Sequence, residues 1–310
     1  MEKKQKGFIS KWTFLLKKSF ERLKKNDPLH LAGSTAFFAV FSIAPIIVII
    51  IQILGIIFSK DDIREALLEK VSEAVPQGTV DQLESMLEGL NDMGDRWYVA
   101  IGGFIFLLFS ASTLFKVIET SLLRLWRLRQ TKNFGFLFQL KNRFFSVLMI
   151  IGAGLLLVVG LMGEGMRNFL GDYLADISPT ISAYFQSIFK HIISIVVATA
   201  WFAIVYRYLS DARPQWKTVF VGALFTAFLF TAGKLVLHAL LGSSNLGSVY
   251  GASASLVLLL LFIFYISIVI YYGAAFTMEW ARYHNQKIKK PSHLSFYKLQ
   301  EERASEEEAE

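Results

Sequence analysis

The sequence predicts an all-α polytopic membrane protein with six transmembrane helices and additional interfacial amphipathic helices. Three observations carry that reading. The 310 residues are 54% hydrophobic and only 18% charged, with a mean hydropathy of +0.46, whereas a soluble domain carries about 25% charge. Long uncharged apolar runs alternate with short charged connectors, the pattern of a set of spans rather than of one buried core. The basic residues gather beside those runs, where anionic lipid headgroups attract them. The net charge of +7 is thereby explained without nucleic acid. The absence of cysteine excludes disulfides, thiolate metal sites and cysteine nucleophiles.

Six runs are long enough to cross about 30 Å of hydrocarbon at about 1.5 Å per residue. They are Leu31–Phe58, Trp97–Val117, Phe144–Gly163, His191–Leu209, Val219–Leu241 and Val249–Phe276. The organisation that follows is a basic segment over 1–28, a transmembrane domain over 29–280 with an outer helical loop at 59–96, and a charged tail over 281–310. Met1 to Asp27 holds nine Lys/Arg and no sustained apolar run. It reads as topogenic rather than as a cleavable signal, so the first span is expected to be both anchor and targeting signal.

Orientation follows from the connectors. Nine Lys/Arg precede the first span, seven lie from Lys116 to Arg143, three from Arg207 to Lys217 and six after Thr277. On the opposite side, Ser59–Arg96 has four basic against ten acidic residues, Glu164–Ser187 has only Arg167, and Gly242–Ser248 has none. Trp97 and Tyr98 open the second span at its outer side, as an aromatic belt does. Both termini are expected inside.

Two amphipathic patterns lie between the spans. Phe8, Trp12, Leu15, Leu16 and Leu23 recur at helical spacing among lysines, which reads as a helix in the inner interface or as a basic tail. In the outer loop, Ile63, Leu67, Leu68, Val71 and Val75 mark one helix. Thr79 and Gln82, in capping-box spacing, open a second with Leu83, Met86, Leu87 and Leu90. These helices cap the outer mouth of the bundle or dock an envelope protein partner.

No enzyme constellation is present. His30, His191, His238, His284 and His293 lie far apart, and there is no phosphate-binding glycine loop and no serine elbow. The expectation is no catalytic residue, no metal and no cofactor. Pro45 bends the first span and frees the carbonyl of Phe41, which Ser42 is close enough to help solvate. That makes a hinge, a cavity wall or a tolerated kink. Gly242–Ser255, which contains Tyr250, Gly251 and Ser253, has fourteen uncharged residues rich in Gly and Ser, suited to close helix packing or to a wet groove.

Lys234 and His238 share one face of the fifth span, with Lys234 roughly 22 Å along the helix from Val219. An ionisable group at that depth is a functional candidate or a snorkelling lysine. Lys116 and Glu119 form an i, i+3 pair at the inner end of the second span. Arg124, Arg127 and Arg129 follow, and with Lys116 they are candidates for lipid phosphates. Glu164 and Arg167 read as an exposed pair on the outer side.

Three stretches resemble the YihY / virulence factor BrkB family, once labelled ribonuclease BN. They are Ala36–Pro45; Tyr206-Arg-Tyr-Leu-Ser-Asp-Ala-Arg-Pro214 with Gly222-Ala223; and Lys234 with Leu-Gly-Ser-Ser, Tyr250-Gly-Ala and Gly273-Ala-Ala-Phe-Thr277. This chain has Ala275 where the family usually has Glu, and Glu279 stands one turn later. Proline also falls at 214, further from the Tyr-Arg pair than in the family. The resemblance implies an all-helical protein of the bacterial inner membrane, tied to envelope integrity and to movement of lipids or lipid-linked precursors. With that implication, Lys234, His238, Ser42, Pro45, Tyr250, Gly251, Ser253 and Arg207 become the candidate substrate path. Anionic headgroups are the expected partners. A small-solute or ion transporter and a non-transporting envelope scaffold remain the rival expectations.

Overall fold

Long apolar runs closed by polar connectors leave the backbone one economical solution in lipid, the helix, because every N–H and C=O must be satisfied within its own segment. The computed structural model describes residues 8–72, 80, 84, 97–130, 136–209, 212–242, 254–286 and 294–297. Its helices are α1 (Phe8–Lys24), α2 (Pro28–Leu54), α3 (Lys60–Ser72), α4 (Trp97–Leu125), α5 (Phe136–Ala175), α6 (Pro179–Ile204), α7 (Trp216–Gly242) and α8 (Ala254–Tyr283). A π-helical turn, Val205–Leu209, continues α6. Two short strands, β1 (Leu128–Gln130) and β2 (Leu294–Phe296), pair antiparallel with Arg129 opposite Ser295. Among the described residues the ribbon is the one departure from helix, and it ties the segment after α8 to the segment after α4.

Among the described residues, four helices are long and apolar enough to cross a membrane: Leu148–Ala175, Pro179–Leu209, Trp216–Val236 and Leu256–Tyr283. A fifth candidate is α2, whose two halves, Pro28–Ile43 and Ile46–Leu54, pass the same test together with a 45° bend between them, where the sequence places Pro45. The expected second span, Trp97–Val117, lies on α4, but most of its side chains fall outside the described residues. The chain is thus an all-α, multi-pass membrane fold.

Packing has the polarity of a membrane bundle, with small residues inside and large ones outside. α8 lies at the centre against α1, α2 and α7. Its inward residues include Gly273, Ala274 and Ala275, while Phe37, Phe41, Phe220, Phe228 and Leu260 on the outer faces point away from the bundle. At the α7–α8 contact, an added methyl on Gly222 would collide with Thr277, and one on Gly273 with Thr226 and Tyr206.

Among the described residues the ion pairs sort into two ends. At one, α1, the start of α2 and the ends of α4 and α8 converge through Arg22–Glu279, Arg124–Asp27 and Trp126–Ala274. Thr218, at the start of α7, bonds Gln286 there. At the other end, Lys70 of α3 is paired with Glu164 of α5. Glu164 therefore bonds across helices, whereas Arg167 donates to Asn168 beside it, in contrast to the local pair expected from spacing.

Two more differences concern the side expected to be outer. The connector Glu164–Ser187 is mostly helix, because α5 and α6 run on past their spans to a turn at Asp176–Ser178. There Ser182 Oγ donates to Gly171 O at 2.7 Å and holds the two helices together. In the outer loop, α3 buries Ile63 and Leu67 against α2, as its pattern predicts. The expected second helix lies outside the described residues except for Val80 and Glu84.

Candidate functional site

The end of the bundle where the basic connectors gather, expected from them to be the inner one, is built first by α1. Leu15, Ser19, Arg22 and Leu23 occupy one face of that helix and are all buried. Trp12 stacks on Phe276 with ring centroids 5.8 Å apart and tilts against Trp280 at 5.7 Å. Tyr272 OH donates to Leu16 O. The helix thus lies on α8, where the sequence offered a lipid interface or a tail.

Arg22 is the polar member of that apolar face. Its Nε and Nη2 reach Glu279 Oε1 at 2.6 and 2.5 Å, and its Nη1 donates to Leu125 O at 3.0 Å. The last contact satisfies a carbonyl that the end of α4 would otherwise leave open. Burial pushes Arg22 below the ordinary arginine range, and the Glu279 carboxylate draws it back up. Arg282 adds a second cation 3.9 Å from the same oxygen. Ala275, one turn earlier on α8, is fully buried. Glu279, four residues further along α8, is engaged by α1 through Arg22.

A layer of hydroxyls lies deeper. Tyr271 OH and Thr35 Oγ1 join α8 to α2. Tyr206, carried inward by the π-helical turn, donates to Ile270 O at 2.8 Å and meets Thr226 Oγ1 at 2.8 Å. Inserted π turns redirect side chains in this way. Trp126 Nε1 donates to Ala274 O at 2.9 Å. Three consecutive helices, α6 to α8, are thereby joined at a polar layer in which every named group has a partner.

The sequence-derived residues distribute around this layer. Ser42 is buried and donates to Phe38 O at 2.7 Å, one turn before the carbonyl it was expected to solvate. Arg207 Nη1 donates to Pro214 O, and its guanidinium lies 5.3 Å from the Trp216 ring. It braces the α6–α7 connector, and its buried Nε has no acceptor among the described residues. Arg127 Nε is buried in the same condition. Lys116 pairs with Glu119 at 3.1 Å, Arg124 with Asp27 at 3.3 Å, and Arg129 is exposed on β1.

Lys234 is half-buried. It falls on the face of α7 that carries Ala223, Ala227 and Phe230, one turn beyond Phe230, which packs edge-on against Phe202 of α6. Its neighbours Leu235 and Val236 are exposed. The side chains of His238 and Pro45, and all of Tyr250, Gly251 and Ser253, lie outside the described residues.

Sequence reasoning singled out Glu279 but missed its partner, because Arg22 is one of nine basic residues before the first span. The available signal was position: Arg22 falls seven residues after Leu15, on the apolar stripe, where a solvated arginine does not belong.

Residues 19–295 match the virulence factor BrkB family. Among curated proteins the chain is similar to UPF0761 membrane proteins. That of Acinetobacter baylyi is 21% identical over 268 residues, covering 83% of this chain and 60% of the relative. That of Delftia acidovorans is 25% identical over 266 residues, covering 83% and 60%. That of Alteromonas mediterranea is 24% identical over 266 residues, covering 83% and 84%. The chain spans about 60% of the length of the first two. No solved structure matches it. A multi-pass helical bundle, with its matched region running from α1 to the β-ribbon, belongs to the virulence factor BrkB family.

Proposed function

We propose that this chain is an inner-membrane transport protein of six spans, with both ends in the cytoplasm, that moves a lipid or lipid-linked anion across the bilayer. It does so without catalytic chemistry of its own. The observation that carries the proposal is the placement of Lys234, a cation on the inward face of α7 whose adjacent residues face lipid. A charge within an apolar span is costly to insert, so its retention points to use. A phosphate headgroup could meet it while the acyl chains stay beside Leu235 and Val236.

Two further observations support the route. Arg127 and Arg207, each with a buried Nε lacking an acceptor among the described residues, stand at the end of the bundle where the basic connectors gather. Anionic headgroups are the partners that such donors fit. The topology draws support from the same end: α1, the β-ribbon and the termini of α2, α4, α7 and α8 meet there, as an even number of spans requires. The loop over 59–96 would cap the opposite mouth and face envelope partners.

Purified protein reconstituted in liposomes tests the proposal. Transbilayer movement of a fluorescent anionic phospholipid should accelerate, and that of a water-soluble anion should not. Movement of the soluble anion alone would favour a solute transporter, and movement of neither would favour a scaffold.

A further inference from the structure

α5 is 40 residues long, about 60 Å at 1.5 Å per residue and twice the thickness of the hydrocarbon. Its outer half carries a pattern that no span requires. Leu148, Gly152, Leu155, Val159, Met162, Met166, Phe169 and Tyr173 follow one another at alternating steps of four and three residues. That is the strict a/d repeat of a helix that pairs with another helix. Among the described residues nothing covers the seam: Leu155, Val159, Met162, Met166, Phe169 and Tyr173 are 55 to 75% exposed. α6 packs on another side of α5, where Gly171 meets Gln186, and it reaches Gly163 at the seam's flank through Ile193.

Lipid covers only part of this seam. Glu164, ion-paired to Lys70 on the charged helix α3, marks the outer boundary of the apolar span. Tyr173 is nine residues further along, about 14 Å, and the interfacial zone on one side is only about 5–7 Å deep. Phe169 and Tyr173 therefore rise from the membrane as an apolar ridge, with Met166 at its foot in the interface.

We infer that a second copy of this chain covers the ridge, with two α5 helices running parallel about a two-fold axis normal to the membrane. The area fits. Six large side chains exposing roughly 100 Å² each approach the ~800 Å² that each partner contributes to a standard interface, before α6 adds anything. Charge does not oppose the pairing, since the flanking positions Leu156, Val158, Gly163, Gly165 and Leu170 are neutral and Asp172 is the one charge among them. Gly152 and Gly165 have open space beside them, which lets the two backbones approach.

The natural chain has no cysteine, so single cysteines can be read without background. In native membranes, Met166→Cys, Phe169→Cys and Tyr173→Cys should each oxidise to a disulfide-linked species of twice the 35.1 kDa chain mass. Asn168→Cys, exposed but turned away from the seam, should remain monomeric. In mild detergent, wild type should scatter light as a dimer, and a Met166→Glu/Phe169→Glu double variant of unchanged helicity as a monomer. Equal crosslinking at Asn168, none at the seam, a product of any other mass, or a double variant that stays dimeric overturns the inference.

Discussion

Glu279 holds more of the inner end together than any other single carboxylate among the described residues. It stands against Arg22 and Arg282, with Arg127 close enough to act on Arg22. Removing it leaves buried Arg22 among like charges, whereas removing Arg22 leaves Glu279 with Arg282. Breaking a buried pair costs about 3–5 kcal/mol when one charge is stranded. Glu279→Gln should therefore lower the thermal midpoint in detergent more than Arg22→Gln does, and an Arg22→Met/Glu279→Leu variant should recover much of the loss. Equal effects of the two single variants would contradict this asymmetry. Gly273→Ala belongs to the same scale. Its methyl would press on Thr226 and Tyr206 at once, and overpacking costs about 1–3 kcal/mol. A clear drop in thermal midpoint checks it, and an unchanged one would mean that α7 and α8 can separate freely.

The helices show which parts of the fold can be read in advance. The spans on α2, α5, α6, α7 and α8 follow from hydropathy alone, since twenty apolar residues have few other uses. Helix ends and partners are less legible. The apolar stripe of α1 fits a lipid surface and a protein groove equally well, and only the position of Arg22 on it favours the groove. Likewise, Glu164–Ser187 reads as a loop because its charges interrupt the run, yet α5 and α6 simply continue as a hairpin. Glu164 pairs with Lys70, 94 residues away, which no local spacing could reveal. Docking of α1 makes its own prediction. In opened vesicles, a maleimide should label Phe20→Cys rapidly and Leu23→Cys slowly, because Phe20 is 60% exposed and Leu23 is 4% exposed. Equal labelling would mean that α1 rides free on the membrane.

The whole molecule is a bundle whose polar contacts sort to its ends and to one hydroxyl layer, with a lysine beyond that layer. An N-in, C-in arrangement predicts that single cysteines at Lys17, Arg129 and Lys217 react with an impermeant maleimide only after the inner face is exposed. Cysteines at Asp62 and Asp172 should react in intact cells, and the reverse pattern would invert the topology. Lys234 bears on function most directly. A charge-assisted contact to a headgroup contributes about 1.5–3 kcal/mol, equivalent to about tenfold or more in rate. The decisive measurement is the initial rate of anionic phospholipid movement in proteoliposomes carrying equal amounts of wild type, Lys234→Ala and Lys234→Arg. Transport past Lys234 predicts a rate lower by about tenfold or more for Lys234→Ala and partial recovery for Lys234→Arg. A wild-type rate in Lys234→Ala would contradict it.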